Sequence, residues 1–329
     1  MTARKRARHT NLMINDNLLR LATIDIGSNA IRLYIGQKSR TGRLRILEDH
    51  RASIRLGKDA FSTGYIRPNT QIELVNALQV FRDICDELNV DQIRAVGTSA
   101  LRDSKNGHKV IEQLKNRTGI QVRIINGQRE AELLHRAVTH NINLGVKSAL
   151  ITDMGGGSLE VVLSRKGRLV SKQSMPLGTV RLLSKVKPNP TYEDIARLVR
   201  TPLYRLRFEM LGRTQTPVQV LVGTGGNLRA LGKLCFRLGL SRSRSRFQRA
   251  HLEILVTKLF ALRLNERKKR FQLRPDRADV ILPAAVVTLE MMRVFEIKEI
   301  LVPNVGLKNG LFLEIMDRVK FIKPAKIRE

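Results

Sequence analysis

Leu21-Ala22-Thr23-Ile24-Asp25-Ile26-Gly27-Ser28-Asn29, near the start of the chain, and Ser148-Ala149-Leu150-Ile151-Thr152-Asp153-Met154-Gly155-Gly156-Gly157-Ser158, near its middle, read alike. Each is a short apolar run of strand character that ends in an aspartate, with glycine two residues later and then a tight turn. After the first turn Ile31, Leu33 and Ile35 alternate with Arg32 and Tyr34 as a strand, and Arg43 to Glu48 and Arg51 to Leu56 continue as strands. After the second, Leu159 to Ser164 and Arg168 to Met175 are strands. Helical spacing follows over 71–88, 106–118 and 130–138 in the first part, with strands at 94–98 and 122–125. In the second part it covers 192–211, 227–238, 251–263, 278–295 and 307–319, with strands at 218–222 and 299–302. The repeat of one plan predicts an internal duplication: two α/β lobes with a cleft between them and a glycine-rich hairpin turn projecting from each.

Turns without Cβ atoms let backbone N–H groups approach anionic oxygens, so such a cleft suits a chain of phosphates. The candidate phosphate ligands are Gly27, Ser28, Asn29 and Arg32 in the first half and Gly155, Gly156, Gly157 and Ser158 in the second. A further glycine-rich turn, Gly223-Thr224-Gly225-Gly226, stands between a strand and a helix, where the helix dipole favours anions. The expected division is a basic arm over 1–20, a first domain over 21–135 completed by the C-terminal helix 307–329, and a second domain over 136–306.

Composition sets the outer limits. The 329 residues carry 60 Lys+Arg against 29 Asp+Glu, a formal net charge of +31, so the expected partners are anions: polyphosphate, nucleotide polyphosphates, nucleic acid or acidic surfaces. At 42% hydrophobic there is ample material for a core, and the length passes the roughly 250–300 residues at which cores divide. Aromatic residues make up 4% and Trp is absent, which speaks against a platform for stacked bases; nucleic acid is not favoured. No apolar run approaches the ~20 residues of a membrane span, no leader pattern opens the chain, and Cys85 and Cys235 read as reduced core thiols; a cytoplasmic protein without membrane contact is expected. Arg242, Arg244, Arg246, Arg249, Arg267, Lys268, Lys269 and Arg270 are the candidates for a polyanion track outside the cleft.

Asp25 and Asp153 end their strands where a carboxylate could hold Mg²⁺, which commonly takes one or two protein carboxylates and keeps its waters. Glu130, opening a helix after Ile124-Ile125-Asn126-Gly127, is either a general base facing the cleft or an acid favoured by the helix dipole. Glu160 is either a cleft carboxylate or a solvent-facing strand residue. Arg32, Arg55, Arg102 and Arg181 each lie just past a turn or short strand, where a guanidinium could clamp phosphate or make a surface ion pair. No His metal spacing and no Ser/His/Asp or Cys/His pairing stand out, which favours direct attack by water.

Taken in order, Ile24-Asp25-Ile26-Gly27-Ser28-Asn29-Ala30-Ile31-Arg32-Leu33, Gly97-Thr98-Ser99-Ala100-Leu101-Arg102-Asp103, Asp153-Met154-Gly155-Gly156-Gly157-Ser158-Leu159-Glu160, Pro176-Leu177-Gly178-Thr179-Val180-Arg181-Leu182 and Gly223-Thr224-Gly225-Gly226-Asn227-Leu228-Arg229-Ala230-Leu231 resemble the blocks of the exopolyphosphatase and guanosine pentaphosphate phosphohydrolase (Ppx/GppA) family. Arg277-Ala278-Asp279-Val280-Ile281-Leu282-Pro283 and Gly306-Leu307-Lys308-Asn309-Gly310-Leu311 look like its closing blocks. The resemblance implies a two-domain actin-like fold, a duplicated ribonuclease H-like α/β architecture without extra C-terminal helical domains. It also implies Mg²⁺-assisted release of the terminal phosphate of inorganic polyphosphate or guanosine pentaphosphate (pppGpp), through a water activated by the second glutamate of a Gly-x-Glu-Glu-Ala block. That block reads Gly127-Gln128-Arg129-Glu130-Ala131-Glu132 here, which puts the base at Glu130, with Glu160 and Asp153 matching the water- and metal-positioning acids and Arg32 and Arg102 as clamps. Arg129 and Glu132 look like a charge exchange within the block; Met154 and Ala284 are further departures. The net charge favours polyphosphate over pppGpp. A non-catalytic polyanion or nucleic-acid binder on the same fold is the alternative of another class, and a homodimer is compatible with either reading.

Overall fold

The computed structural model describes residues 18–38, 44–212 and 217–318. Most of the expected basic arm, and residues 319–329 of the expected C-terminal helix, lie outside them.

In the first lobe β1 (Arg20–Ile26), β2 (Ile31–Lys38) and β3 (Leu44–Ala52) form an antiparallel meander, followed by α1 (Leu56–Thr63) and α2 (Pro68–Glu87). β4 (Gln92–Gly97) then lies parallel to β1, and after α3 (Ser99–Asp103) and α4 (Gly107–Thr118) β5 (Val122–Ile124) lies parallel to β4. α5 (Gly127–Asn141) leads to the second lobe, where β6 (Ser148–Met154), β7 (Leu159–Arg165) and β8 (Arg168–Met175) repeat the meander. α6 (Thr179–Leu183) and α7 (Tyr192–Leu211) precede β9 (Val220–Thr224), which pairs with β6 in parallel. There follow α8 (Gly225–Arg237), β10 (Arg246–Gln248), α9 (Arg249–Phe260), α10 (Leu264–Arg270), α11 (Pro275–Ala278), α12 (Ile281–Val294), β11 (Glu299–Leu301) and α13 (Leu307–Arg318).

The sheet orders are β3-β2-β1-β4-β5 and β10-β11-β9-β6-β7-β8, so β8-β7-β6-β9-β11 repeats the first sheet strand for strand. This is the duplicated, actin-like architecture. The central strands β1 and β6 are buried on both faces and accordingly read as nearly continuous apolar runs rather than alternations. α12 is buried almost all round, as its unbroken Ile-Leu-Pro-Ala-Ala-Val-Val opening requires, and sits at the heart of the second lobe's core with Leu150, Leu203 and Leu255. The two helices at the lobe junction change sides. α5 leaves the first sheet but packs Ala131, Leu134 and Val138 on Ile151 and Val162 of the second; α13 leaves the second sheet but packs Phe312, Ile315 and Met316 on Leu21 and Tyr34 of the first. The division read at 135/136 therefore falls inside a continuous helix.

Two strands expected at 43–48 and 51–56 are one strand, β3, kept in pairing by a register shift opposite Ile35 and Gly36, and Leu56 instead opens α1. The chain at 223–226 is not a turn: β9 runs through Thr224, which takes an extended N-cap conformation, and α8 starts at Gly225. Among the described residues no helix is long and apolar enough to cross a membrane.

Candidate active site

Both hairpin tips are built the same way. Gly27 N–H donates to Ala30 O at 3.2 Å between β1 and β2, and Gly155 N–H donates to Ser158 O at 3.0 Å between β6 and β7. The strand registers then set the chemistry. Asp25 lies opposite Arg32, and Asp153 lies opposite Glu160.

The second tip is held from behind. The N–H groups of Thr179, Val180 and Arg181 at the start of α6 donate to Gly155 O and Gly156 O at 3.1, 2.8 and 3.0 Å, and Arg181 Nε donates to Gly157 O at 2.7 Å. Taking up the carbonyls this way leaves the opposite side of the turn for the cleft. Gly178 permits the approach, because a side chain there would run into the backbone of Gly156 and Gly157. Arg181 also lies 3.9 Å over the Phe61 ring and pairs with Asp103, so its place is structural, bridging the lobes, and not in the cleft.

At one end of the cleft Glu130 projects from the first turn of α5, 7% exposed, and accepts from Arg102 Nη1 at 2.7 Å. Arg102 is fixed by a second donation to Ile125 O at 2.8 Å. Asn126 caps α5 by accepting from Arg129 N–H at 2.8 Å, which fixes where the helix starts and so where Glu130 points. Glu160, 3% exposed, accepts from Ser174 Oγ at 2.9 Å. Both glutamates thus face inward: Glu160 is not solvent-facing, and Glu130 is at once a first-turn acid of α5 and a residue of the cleft. Arg129 pairs with Glu132 at 2.7 Å and with Glu314 of α13, so the exchanged charges keep a local ion pair.

Asp25, Gly27, Ser28, Asn29, Arg32, Glu130, Asp153, Gly155, Gly156, Ser158, Glu160, Gly225 and Gly226 line one cavity of about 130 Å³. Six candidates do not, Arg181 among them. Gly157 packs behind its tip against Phe61 and Ser99; Gly223 and Thr224 belong to β9, with Thr224 Oγ1 donating to Thr152 O at 3.2 Å; Arg102 stands behind Glu130. Arg55 is held by Asp279 at 2.7 Å across the lobes. The cavity adds Arg51, Ser99, Asn227 and Arg277, which single-residue reading missed. Arg51 pairs with Asp276 and Arg277 donates to Asn227 Oδ1, while Asn227 Nδ2 donates to Met154 O at 3.0 Å. The signal for Arg277 was its place in a quoted block; for Arg51 the strand pairing opposite Arg32 was the only one.

Of the basic track, Arg267 is a correction: it is 5% exposed, its Nη1 donating to Leu259 O at 3.4 Å, because the face of α10 that carries it packs inward. Arg246 is paired with Glu299 at 2.6 Å and Arg244 lies 4.9 Å over the Phe236 ring. Arg242, Lys269 and Arg270 are exposed, and Arg249 and Lys268 are half-buried.

Four carboxylates share the cavity, and each is pushed up. Burial raises Asp25 to about 6, with Arg32 opposing and Asp153 adding to the rise; burial raises Asp153 as well, against Arg229. Burial lifts Glu160 to about 7. Burial and the Glu160 charge hold Glu130 well above the carboxylate range, while Arg102 pulls it back. Asp25 Oδ1 and Asn29 Oδ1 are buried acceptors without a hydrogen-bond partner. No three His, Cys, Asp or Glu side chains among the described residues stand close enough to form a protein cage for a metal. Orphaned oxygens beside one or two carboxylates, rather than a cage, are what Mg²⁺ with its own waters uses, so these residues fit that ion.

A family profile for Ppx/GppA phosphatases matches residues 35–319. The chain belongs to the Ppx/GppA phosphatase family. Exopolyphosphatase 1 of Mycobacterium tuberculosis is 26% identical over 310 residues, 91% of this chain and 89% of that protein. Exopolyphosphatase 2 of the same species is 28% identical over 293 residues, 84% of this chain and 91% of that protein. Among solved structures, an exopolyphosphatase from Cytophaga hutchinsonii superposes with a TM-score of 0.80 at 26% identity, over 92% of this chain and 99% of that one. The Aquifex aeolicus Ppx/GppA family member gives 0.74 at 26% identity with the same coverage. This Ppx/GppA chain is therefore an enzyme of the phosphoanhydride hydrolase class.

Proposed function

We propose that the chain is an exopolyphosphatase that removes the terminal phosphate of inorganic polyphosphate by Mg²⁺-assisted attack of a water activated by Glu130. The observation that carries this reading is the buried Glu130, aimed into the cleft and held by Arg102 at 2.7 Å. Its raised proton affinity suits a base that must take a proton from water near neutral pH. Glu130 takes the proton as the water oxygen bonds to the terminal phosphorus; the bond from that phosphorus to the bridging oxygen breaks, and the shortened polymer leaves with the bond electrons. Glu160, fixed by Ser174, orients the water. Tip amides and Arg32 hold the phosphoryl oxygens, so catalysis is mainly positioning and charge stabilisation. Asp25 and Asp153 would hold the Mg²⁺, which when bound neutralises charge on the phosphoryl oxygens.

The choice of polyphosphate over pppGpp is supported by the exopolyphosphatase relatives, by the net charge of +31, and by a cavity of about 130 Å³, which suits a phosphate chain end better than a nucleoside. α10 packs on α11, whose Arg277 lines the cleft, which supports Lys268, Lys269 and Arg270 as candidates for the polymer's track. Buried, unpaired Cys85 and Cys235 support a cytoplasmic setting. The test is phosphate release by wild type and Glu130→Gln from long polyphosphate and from pppGpp, each at two salt concentrations. Glu130→Gln should lose about 10²–10⁴-fold in turnover while still binding polymer, and only the polymer reaction should fall steeply with salt. A variant within tenfold of wild type, or a preference for pppGpp, would overturn the reading.

A further inference from the structure

We propose that Asn227 is a positioning residue of the cleft: its side-chain amide holds the Arg277 guanidinium at the wall without neutralising it, which leaves the positive charge for a phosphoryl oxygen of the substrate. The inference rests on the exopolyphosphatase reading above and adds the residue through which the cleft keeps this cation available.

Asn227 is the third residue of α8, is 5% exposed, and lines the cavity beside Gly225 and Gly226. Both ends of its amide are engaged. Nδ2 donates to Met154 O at 3.0 Å and stands 3.5 Å from Thr179 Oγ1, while Oδ1 accepts from Arg277 Nη1. A carbonyl can only accept and a guanidinium can only donate, so an amide turned the other way would lose both bonds. One side chain thereby ties α8 to the last residue of β6 and to α11.

Arg277 is 8% exposed and lies against Gly226, where a Cβ would stand 2.6 Å from its Nη2 and 3.4 Å from its Cζ. Among the described residues no carboxylate is within ion-pair distance of it. The adjacent Asp276 is taken up by Arg51 and lies 3.6 Å from Arg274. Burial lowers the proton affinity of Arg277 to about 10, with Asp276 opposing and Arg274, Arg51 and Arg32 adding to the fall, so the group is a cation at neutral pH. A buried charge is costly unless it is paired, and the protein's own hydrogen-bond partner for this one is a neutral amide oxygen. Arg277 lines the cavity together with Arg32 and Arg51, so the anion that balances it is one that enters there. A carboxylate in place of Asn227 would hold the guanidinium as well and cancel its charge at short range, where little solvent intervenes to screen it.

The experiment compares wild type, Asn227→Asp and Asn227→Ala in phosphate release from polyphosphate with Mg²⁺ at several salt concentrations, beside thermal melts. Both variants lose the donation to Met154 O; Asn227→Asp keeps the arginine in place, and Asn227→Ala keeps only its charge. KM should rise by roughly tenfold or more in Asn227→Asp and by about threefold in Asn227→Ala, and the dependence of KM on salt should become shallower in Asn227→Asp alone. An amide that only supports the fold predicts the reverse order, since the near-isosteric aspartate keeps a bond that alanine loses. That reverse order, or a KM for Asn227→Asp within about twofold of wild type, would overturn the proposal. If Asn227→Asp does not fold, Arg277→Met takes its place. It should show the raised KM and the shallower salt dependence, and adding Asn227→Ala to it should change KM by no more than about twofold, whereas additive losses would refute action through Arg277. Wild type that releases no phosphate from polyphosphate would defeat the exopolyphosphatase reading first and the role of Asn227 with it.

Discussion

Replacing Gly156 by alanine should separate the two hairpin tips without disturbing either core. A methyl group at Gly156 would stand 2.9 Å from Ser28 Cβ, 3.2 Å from Val180 Cγ2 and 3.3 Å from Asn29 N, whereas ordinary contact begins near 3.4 Å. Ser28 and Asn29 belong to the opposite lobe, so the strain is relieved by widening the cleft by about 0.5 Å. A misplacement of ~1 Å at a reacting centre costs ~10²-fold, and half of that, taken log-linearly, gives about a tenfold loss in kcat, or about 1.4 kcal/mol. Because the lobes can yield as bodies, stability should fall by only about 1 kcal/mol and Tm by about 2–4 °C. Steady-state phosphate release at saturating polyphosphate, beside a thermal melt, measures both. A folded variant with kcat within twofold of wild type would refute the idea that the spacing of the tips sets the reaction geometry.

Arg102→Met removes the guanidinium that pulls Glu130 down, so Glu130 should hold its proton more tightly; since the base works deprotonated, the acid limb of the kcat/KM profile should move to higher pH, and a limb that stays or moves down would contradict the pairing. Asp276→Ala should destabilise the protein by about 2–4 kcal/mol, because it strands the well-buried Arg51, whereas Asp279→Ala frees the more exposed Arg55 and should cost about 1 kcal/mol or less; urea unfolding ranks the two. Burial pushes Glu290 up, but Arg200 and Tyr192 draw it further down, to below its ordinary 4.5. A depressed carboxylate contributes stability above that value and loses it as pH falls through the lower, folded one, so Glu290→Gln should cost about 2–3 kcal/mol at pH 7 and progressively less below about pH 4.5 in denaturant titrations.

What could be read along the chain was what local periodicity and turn chemistry write there. β1 and β6 carry Asp25 and Asp153 one residue before their ends, close to where they were expected, and the start of α5 brought Glu130 inward because Asn126 caps it. What escaped was what packing decides. Leu56 continues an alternating stretch, yet it opens α1 because the chain turns back under the first tip, Gly57 N–H donating to Ser28 O at 2.8 Å. Arg51 and Arg277 reach the cleft only because the lobes face each other, and no spacing within either lobe announces that. Arg267 sits in a basic run that reads as a solvated face, but on a helix of seven residues one side must turn inward, and its side chain is on that side.

The short helix α6 gathers the carbonyls of the second tip at its start and, through the side chain of Arg181, fastens the opposite lobe at Phe61 and Asp103. The turn proposed to seat the anion and the bolt across the lobes are therefore held by one piece of chain. Under that proposal, lobes that part would also strain the seat, and release of the polyanion would be coupled to their opening.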